Sequence, residues 1–156
     1  MSNVEANIDV KKVLQMFSEF NEKLRKKTFK TALRKSANIL KKQTITNLKA
    51  SVNHIDRRDK WGNTLRKGVG IAVAKTGYSA KVHLMKNFKL KFFEMGTDDR
   101  YQKTFKRKRL KKQRYVGKIK PLWFFKKAKE QTETKVFDSI EQNLINTIKK
   151  INEKYK

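Results

Sequence analysis

The sequence predicts an α+β fold: N-terminal helices, a small antiparallel meander sheet with a long basic loop, and a long C-terminal helix packed on the sheet. Three observations predict it. Apolar residues recur at helical spacing before residue 51 and again after residue 121. Between residues 64 and 96 they alternate with polar or small ones. From Lys103 to Lys120, eighteen residues hold ten Lys or Arg and no acid, a density that no core can absorb. Helices, then strands, then a helix is the order of an α+β domain.

Val13, Phe17, Phe20 and Leu24 stand four, three and four residues apart, so the spacing predicts a first helix over 9–27 with Asp9 as its N-cap. Phe29, Leu33, Ala37, Leu40, Thr44 and Leu48 form the stripe of a second helix over 28–50, with Lys30, Arg34, Lys35, Lys41 and Lys42 mostly off it and solvated. "SVNHIDRRDKWGNT" shows neither period, and Gly62-Asn63 is a turn signal, which makes this stretch a connecting loop. Strands follow over 64–96. Leu65, Val69, Ile71 and Val73 mark the first and Ala80, Val82 and Leu84 the second, with Thr76-Gly77 as the hairpin turn between them. "NFKLKFFEM" predicts a third, with Phe88, Leu90 and Phe92 facing one way. Residues 98–120 form a basic loop or extended hairpin. Pro121 suits a first helical turn, and Phe125, Ala128, Thr132, Val136, Ile140, Leu144, Ile148 and Ile151 stripe a helix over 121–153 that can cover the sheet.

At 156 residues and 37% hydrophobic content, the chain is expected to form one domain, 1–156, with no internal repeat and no Pro/Ser linker. Lys and Arg outnumber Asp and Glu by 41 to 14, which predicts strong, salt-dependent attraction to polyanions. There is no cysteine, so disulfides and thiolate metal sites are excluded and only His54, His83 and carboxylates remain as ligands; neither metal nor cofactor is expected. "MSNVEANIDVKKVLQ" has no charged n-region followed by an apolar h-region, and no apolar run approaches the roughly 18 residues of a membrane span. A soluble protein made in the cytoplasm, without a membrane partner, is the expectation.

Catalysis would need converging acids, bases or nucleophiles, and the best such group is Glu94, Asp98 and Asp99 beside His83, which could mimic a metal-nuclease site. The plainer account is that Asp98 and Asp99 favour a turn, that Glu94 has many cationic partners, and that His54 and His83 sit in a basic loop and on a strand. "KGVG" and "EMGT" lack the spacing of a phosphate-cradling loop. No enzyme is expected. Gly96 before Thr97 fits a sharp turn at positive φ, with the threonine hydroxyl bonding nearby backbone.

The basic run exceeds background most. Lys103, Lys106, Arg107, Lys108, Arg109, Lys111, Lys112 and Arg114 are interleaved with Tyr101, Phe105 and Tyr115, aromatics that can pack on sugars or bases. Three readings apply to it: contact with nucleic acid, docking on an acidic protein, or simple solvation. Six phosphate contacts would give a salt slope of about −5 on duplex DNA. Base-specific readout is not expected, since it needs a rigid element presenting a few side chains to base edges.

Three pieces carry a resemblance. "ALRKSANILKKQTITNLKAS" followed by "GNTLRKGVGIAV" is similar to a basic amphipathic helix, a loop and Gly-x-x-Leu-Arg-Lys opening a strand; "FFEMGT" to aromatic-x-Glu-x-Gly-Thr at a strand end; "IKPLWFFKKA" to Pro-x-x-Phe-x-x-x-Ala opening a final helix. In this order the chain resembles the head-tail joining or tail-completion (neck) proteins of long-tailed bacteriophages, the group of minor tail protein Z of lambda-like phages. The resemblance spans Ala32 to Ala128 and makes Gly62, Leu65, Glu94, Gly96, Thr97, Pro121, Phe125 and Ala128 the characteristic positions, with structural roles and no catalysis. The N-terminal helix and the long basic insert between Thr97 and Pro121 depart from the family pattern. The resemblance implies a virion structural protein of the neck or upper tail, in a ring of six-fold or twelve-fold symmetry around the DNA channel. Its implied partners are its own copies, neighbouring portal, connector or tail-terminator proteins, and genomic DNA bound without sequence preference. The alternatives are an RNA-binding or ribosome-associated basic protein and, further off, a metal-dependent phage nuclease.

Overall fold

The computed structural model describes residues 21–105 and 108–154, with side chains to residue 150. An α+β fold is what it shows. The first element among the described residues, α1, is one helix over Glu22–Ser51, and the Asn21 side chain accepts the Lys23 N–H at 3.0 Å as its N-cap. The sequence predicts a boundary between 27 and 28. The helix instead runs straight through it, because no Gly or Pro lies between Glu22 and Ser51. The expected helix before residue 21, with Asp9, Val13, Phe17 and Phe20, lies outside the described residues. Ala37, Thr44 and Leu48 are buried as the stripe predicts, and the small residues Thr28, Ala32 and Ser36 join them.

These small residues let a second long helix come close. That helix, α3, covers Phe124–Lys154 and packs antiparallel on α1. The pairings run in opposite directions: Ser36 Oγ bonds Ser139 Oγ at 3.0 Å, Gln43 reaches Gln131 at 3.1 Å, and the Asn47 side-chain amide donates to the Phe124 carbonyl at 3.2 Å. Packing of this helix on the sheet, as the sequence predicts, is therefore corrected to packing on α1. Size explains the difference: a 31-residue helix is about 47 Å long, whereas a four-residue strand extends only about 13 Å.

The first two strands form as expected. β1 (Gly70–Val73) and β2 (Ala80–His83) pair antiparallel, with Ile71 opposite Val82. The Thr76-Gly77 turn closes them, Gly77 adopting φ +88 and lying against the α1 backbone at Lys26. Leu65 precedes a short 3-10 turn over Arg66–Gly68, so the strand starts later than predicted.

The third strand is not formed. "KLKFFEM" is instead α2, a helix over Lys89–Met95, so the described residues form no meander but two separate two-stranded sheets. Over seven residues the two periods are hard to tell apart, and here the helical set wins: Leu90 and Glu94 turn inward with Phe93 beside them, while Phe88, Phe92 and Met95 face out. Asn87 starts the turn by accepting the Lys89 N–H at 3.1 Å.

Leu48, Ile55, Val69, Leu90 and Phe124 meet as the core where the end of α1, the following loop, α2 and the start of α3 converge. Phe125 was the expected core ring. Phe124 takes that place with no exposure, since it stands four residues before buried Ala128, and Phe125 packs half-buried on the same cluster. The basic segment takes the hairpin form of its two expected shapes, as β3 (Arg100–Phe105) and β4 (Lys108–Gly117).

Candidate nucleic-acid interface

A charged hairpin needs a firm base, and its base is built from the residues between Glu94 and Lys126. "KPLWFF" offers α3 no Ser, Thr, Asp or Asn as a cap, so the first amides of the helix need an acceptor from elsewhere. Glu94 supplies it. One carboxylate oxygen accepts the Phe125 N–H at 2.8 Å and the other the Lys126 N–H at 3.0 Å, with Glu94 only 8% exposed. The negative charge also faces the positive end of the helix dipole. Backbone bonds support this, from Leu122 N–H to the Phe93 carbonyl at 2.9 Å and from Trp123 N–H to the Glu94 carbonyl at 3.3 Å.

Directly after this cap the chain turns at Gly96, whose φ of +76 favours glycine. A Cβ there would stand 2.8 Å from the Ile119 carbonyl oxygen and 3.0 Å from the Pro121 ring. No other residue fits without displacing that segment. Thr97 then bonds Ile119 in both directions: its N–H donates to the Ile119 carbonyl at 3.0 Å, and its hydroxyl oxygen accepts the Ile119 N–H at 3.0 Å. Glu94, Gly96, Thr97 and Pro121 thus form one clasp across the two ends of the hairpin, with Phe125 joined through its backbone. Pro121 is not in the first helical turn as expected, since α3 begins three residues later at Phe124.

The other characteristic positions lie apart. Ala128 is fully buried on α3, Leu65 packs at the edge of the core, and Gly62 makes a tight turn at φ +75 whose N–H bonds the Asp59 carbonyl at 2.9 Å. The sequence predicts cationic partners for Glu94; its bonds are to backbone amides. The missing cap before α3 was the signal that could have revealed this.

The hairpin itself stands in solvent. Tyr101 and Tyr115 pair across the strands with ring centroids 5.4 Å apart, and the Tyr115 hydroxyl donates to Asp99 Oδ1 at 3.1 Å. That bond raises the Tyr115 phenol above its ordinary range, and the phenol stays neutral at physiological pH. Between the pairs Gln102–Arg114 and Thr104–Arg109, β3 has one residue and β4 has four, so β4 bulges there and carries Lys111 and Lys112. Lys103, Lys108, Arg109, Lys111, Lys112 and Arg114 are all exposed, and among the described residues no carboxylate lies within ion-pair distance of them. Lys106 and Arg107 lie outside the described residues.

Asp98, Asp99 and His83, which the sequence places near Glu94, are not assembled into a site with it. Asp98 is exposed, Asp99 bonds Tyr115, and the His83 ring lies against Gly70 while its Nδ1 accepts the Met85 N–H at 3.4 Å. His54 sits exposed in the loop at φ +60. Among the described residues no three His, Asp or Glu side chains come together as a metal-binding group. One feature escaped the sequence reading because it depends on α2 being a helix: Met85, Phe88, Phe92 and Met95 form an exposed apolar ridge, with the rings of Phe88 and Phe92 edge to face at 6.1 Å. No protein-family model, no curated protein and no solved structure matches the chain.

Proposed function

We propose that the chain is a structural component of a bacteriophage neck or upper tail, part of a ring that joins head to tail or completes the tail around the DNA channel. One observation carries this reading: the residues of the resemblance on either side of the basic insert, Glu94, Gly96, Thr97 and Pro121, meet in the clasp that holds the hairpin out from the body. The clasp positions; the hairpin contacts. Its exposed cations suit the phosphates of passing DNA or an acidic neighbouring ring, and closed symmetry would repeat them around one axis. Contact between copies falls to the ridge of Met85, Phe88, Phe92 and Met95, an apolar surface of the kind that marks interfaces.

The exposed Tyr101–Tyr115 pair among cations favours a second reading, an RNA-binding or ribosome-associated protein, because such rings can stack on unpaired bases. Quantitative mass spectrometry of purified, nuclease-treated particles separates the two. A copy number matching six-fold or twelve-fold symmetry is expected for a ring protein. Absence from particles, with co-sedimentation on ribosomes, would favour the RNA reading.

A further inference from the structure

The exposed face of α1 holds a second basic surface, separate from the hairpin. Lys23, Lys26, Lys27, Lys30, Arg34 and Lys35 recur at helical spacing and line one shallow trough with Thr31 and Asn38. From Lys23 to Lys35 the row is about 18 Å long. Its centre lies about 28 Å along α1 from Leu48, the end of the helix nearest the clasp.

Ordinary solvation does not account for this row, and the chain contains its own comparison. α3, of similar length and packed against α1 itself, carries seven Lys and five Asp or Glu, the mixed surface of a solvated helix. α1 carries ten Lys or Arg and one acid, Glu22, which pairs with Lys26 at 2.6 Å. The β1–β2 hairpin packed alongside adds no relief, since there is no Asp or Glu between Lys60 and Phe93. Among the described residues the row is concentrated positive charge with one neutralising partner.

The chemistry of the row selects its ligand. A membrane-surface helix needs a free apolar face, but the apolar side of α1 is buried against α3. A protein interface needs aromatic or aliphatic anchors, and single-stranded nucleic acid needs rings to stack on; the trough's own lining has neither, and the exposed ring beside it, Tyr78, is already packed edge-on against Phe29. What remains is a regular polyanion read through charge alone. We propose that the N-terminal half of α1 binds the phosphate backbone of duplex DNA, without sequence preference, as a contact independent of both the hairpin and the neck reading. Lysine, a flexible point charge, suits such contact, and the Thr31 and Asn38 side chains can add hydrogen bonds to phosphate oxygens.

The test uses the full chain and a short duplex of arbitrary sequence, with fluorescence anisotropy followed across salt concentrations. Replacing Lys23, Lys27, Lys30 and Arg34 together by Gln should weaken binding and make the log–log salt slope shallower by about 3 to 4. A hairpin variant, Lys108→Gln with Lys111→Gln and Lys112→Gln, should retain the contribution of α1. Amine-reactive footprinting of the unaltered protein gives a second readout, in which duplex should shield Lys23, Lys27 and Lys30. Unchanged slope and unshielded lysines would overturn the proposal. So would equal binding to phosphatidylserine vesicles or polyglutamate that the α1 variant abolishes to the same degree. Particle copy number plays no part in these readouts, so they stand or fall apart from the neck reading.

Discussion

Each oxygen of the Glu94 carboxylate accepts one amide from the first turn of α3, and nothing in "KPLWFF" could replace it. Glu94→Ala should therefore cost about 2 kcal/mol in denaturant unfolding, while Glu94→Gln, which keeps one acceptor oxygen, should cost about 1 kcal/mol. An unchanged midpoint for both would remove the cap from the account. The adjacent phenylalanines give a sharper comparison. Phe124 is wholly buried and Phe125 only partly, so Phe124→Ala should cost about 3 to 5 kcal/mol and Phe125→Ala clearly less. Equal losses in thermal melts would restore Phe125 to the core position that the stripe first gave it. Counted from Pro121 to Ala128, the Pro-x-x-Phe-x-x-x-Ala spacing itself selects Phe124; the stripe alone points one residue later, to Phe125, because either ring keeps helical spacing with Ala128.

Elements with long, regular patterns were legible in the sequence: α1 from residue 28 onward and α3 through their stripes, and β1–β2 through alternation and the Thr76-Gly77 turn. α2 was not, because "KLKFFEM" is too short for its period to be decisive and only Leu90 in the core reveals which face is inner. The clasp was hidden for another reason. Its Glu94 bonds join residues 31 and 32 positions apart and its Thr97 bonds residues 22 apart, and no local pattern encodes a side chain that caps a helix from so far away. The run of cations was plain in composition, but its shape depended on strand pairing that few apolar residues announce. Because β3 and β4 bury almost nothing, replacing Lys108, Lys111 and Lys112 by Gln should leave thermal stability within about 0.5 kcal/mol. Loss of cooperative melting in that variant would show that the hairpin is part of the folding unit.

Across the whole molecule, charge opposes compactness. A net charge of +27 on 156 residues includes the α1 row and the hairpin, and few of these cations are paired with carboxylates among the described residues. Raising salt toward physiological strength, where screening acts beyond about 8 Å, should raise the melting temperature of the isolated protein. A fall instead would mean that pairs such as Arg66–Asp56, at 2.6 Å, outweigh the repulsion.

The clasp also sets how a mechanical load would travel through the protein. Both roots of the hairpin, Thr97 and Ile119, are tied to each other by two hydrogen bonds, and the chain on either side leads straight to Glu94 and to the start of α3. Force along the hairpin's length would be shared by its two covalent strands and pass through the clasp into the axis of a 31-residue helix braced along α1. Force prying the strands sideways would meet their hydrogen bonds one pair at a time. The same arm is thus stiff when pulled lengthwise and yielding when peeled, with the paired bonds between Thr97 and Ile119 the last to give.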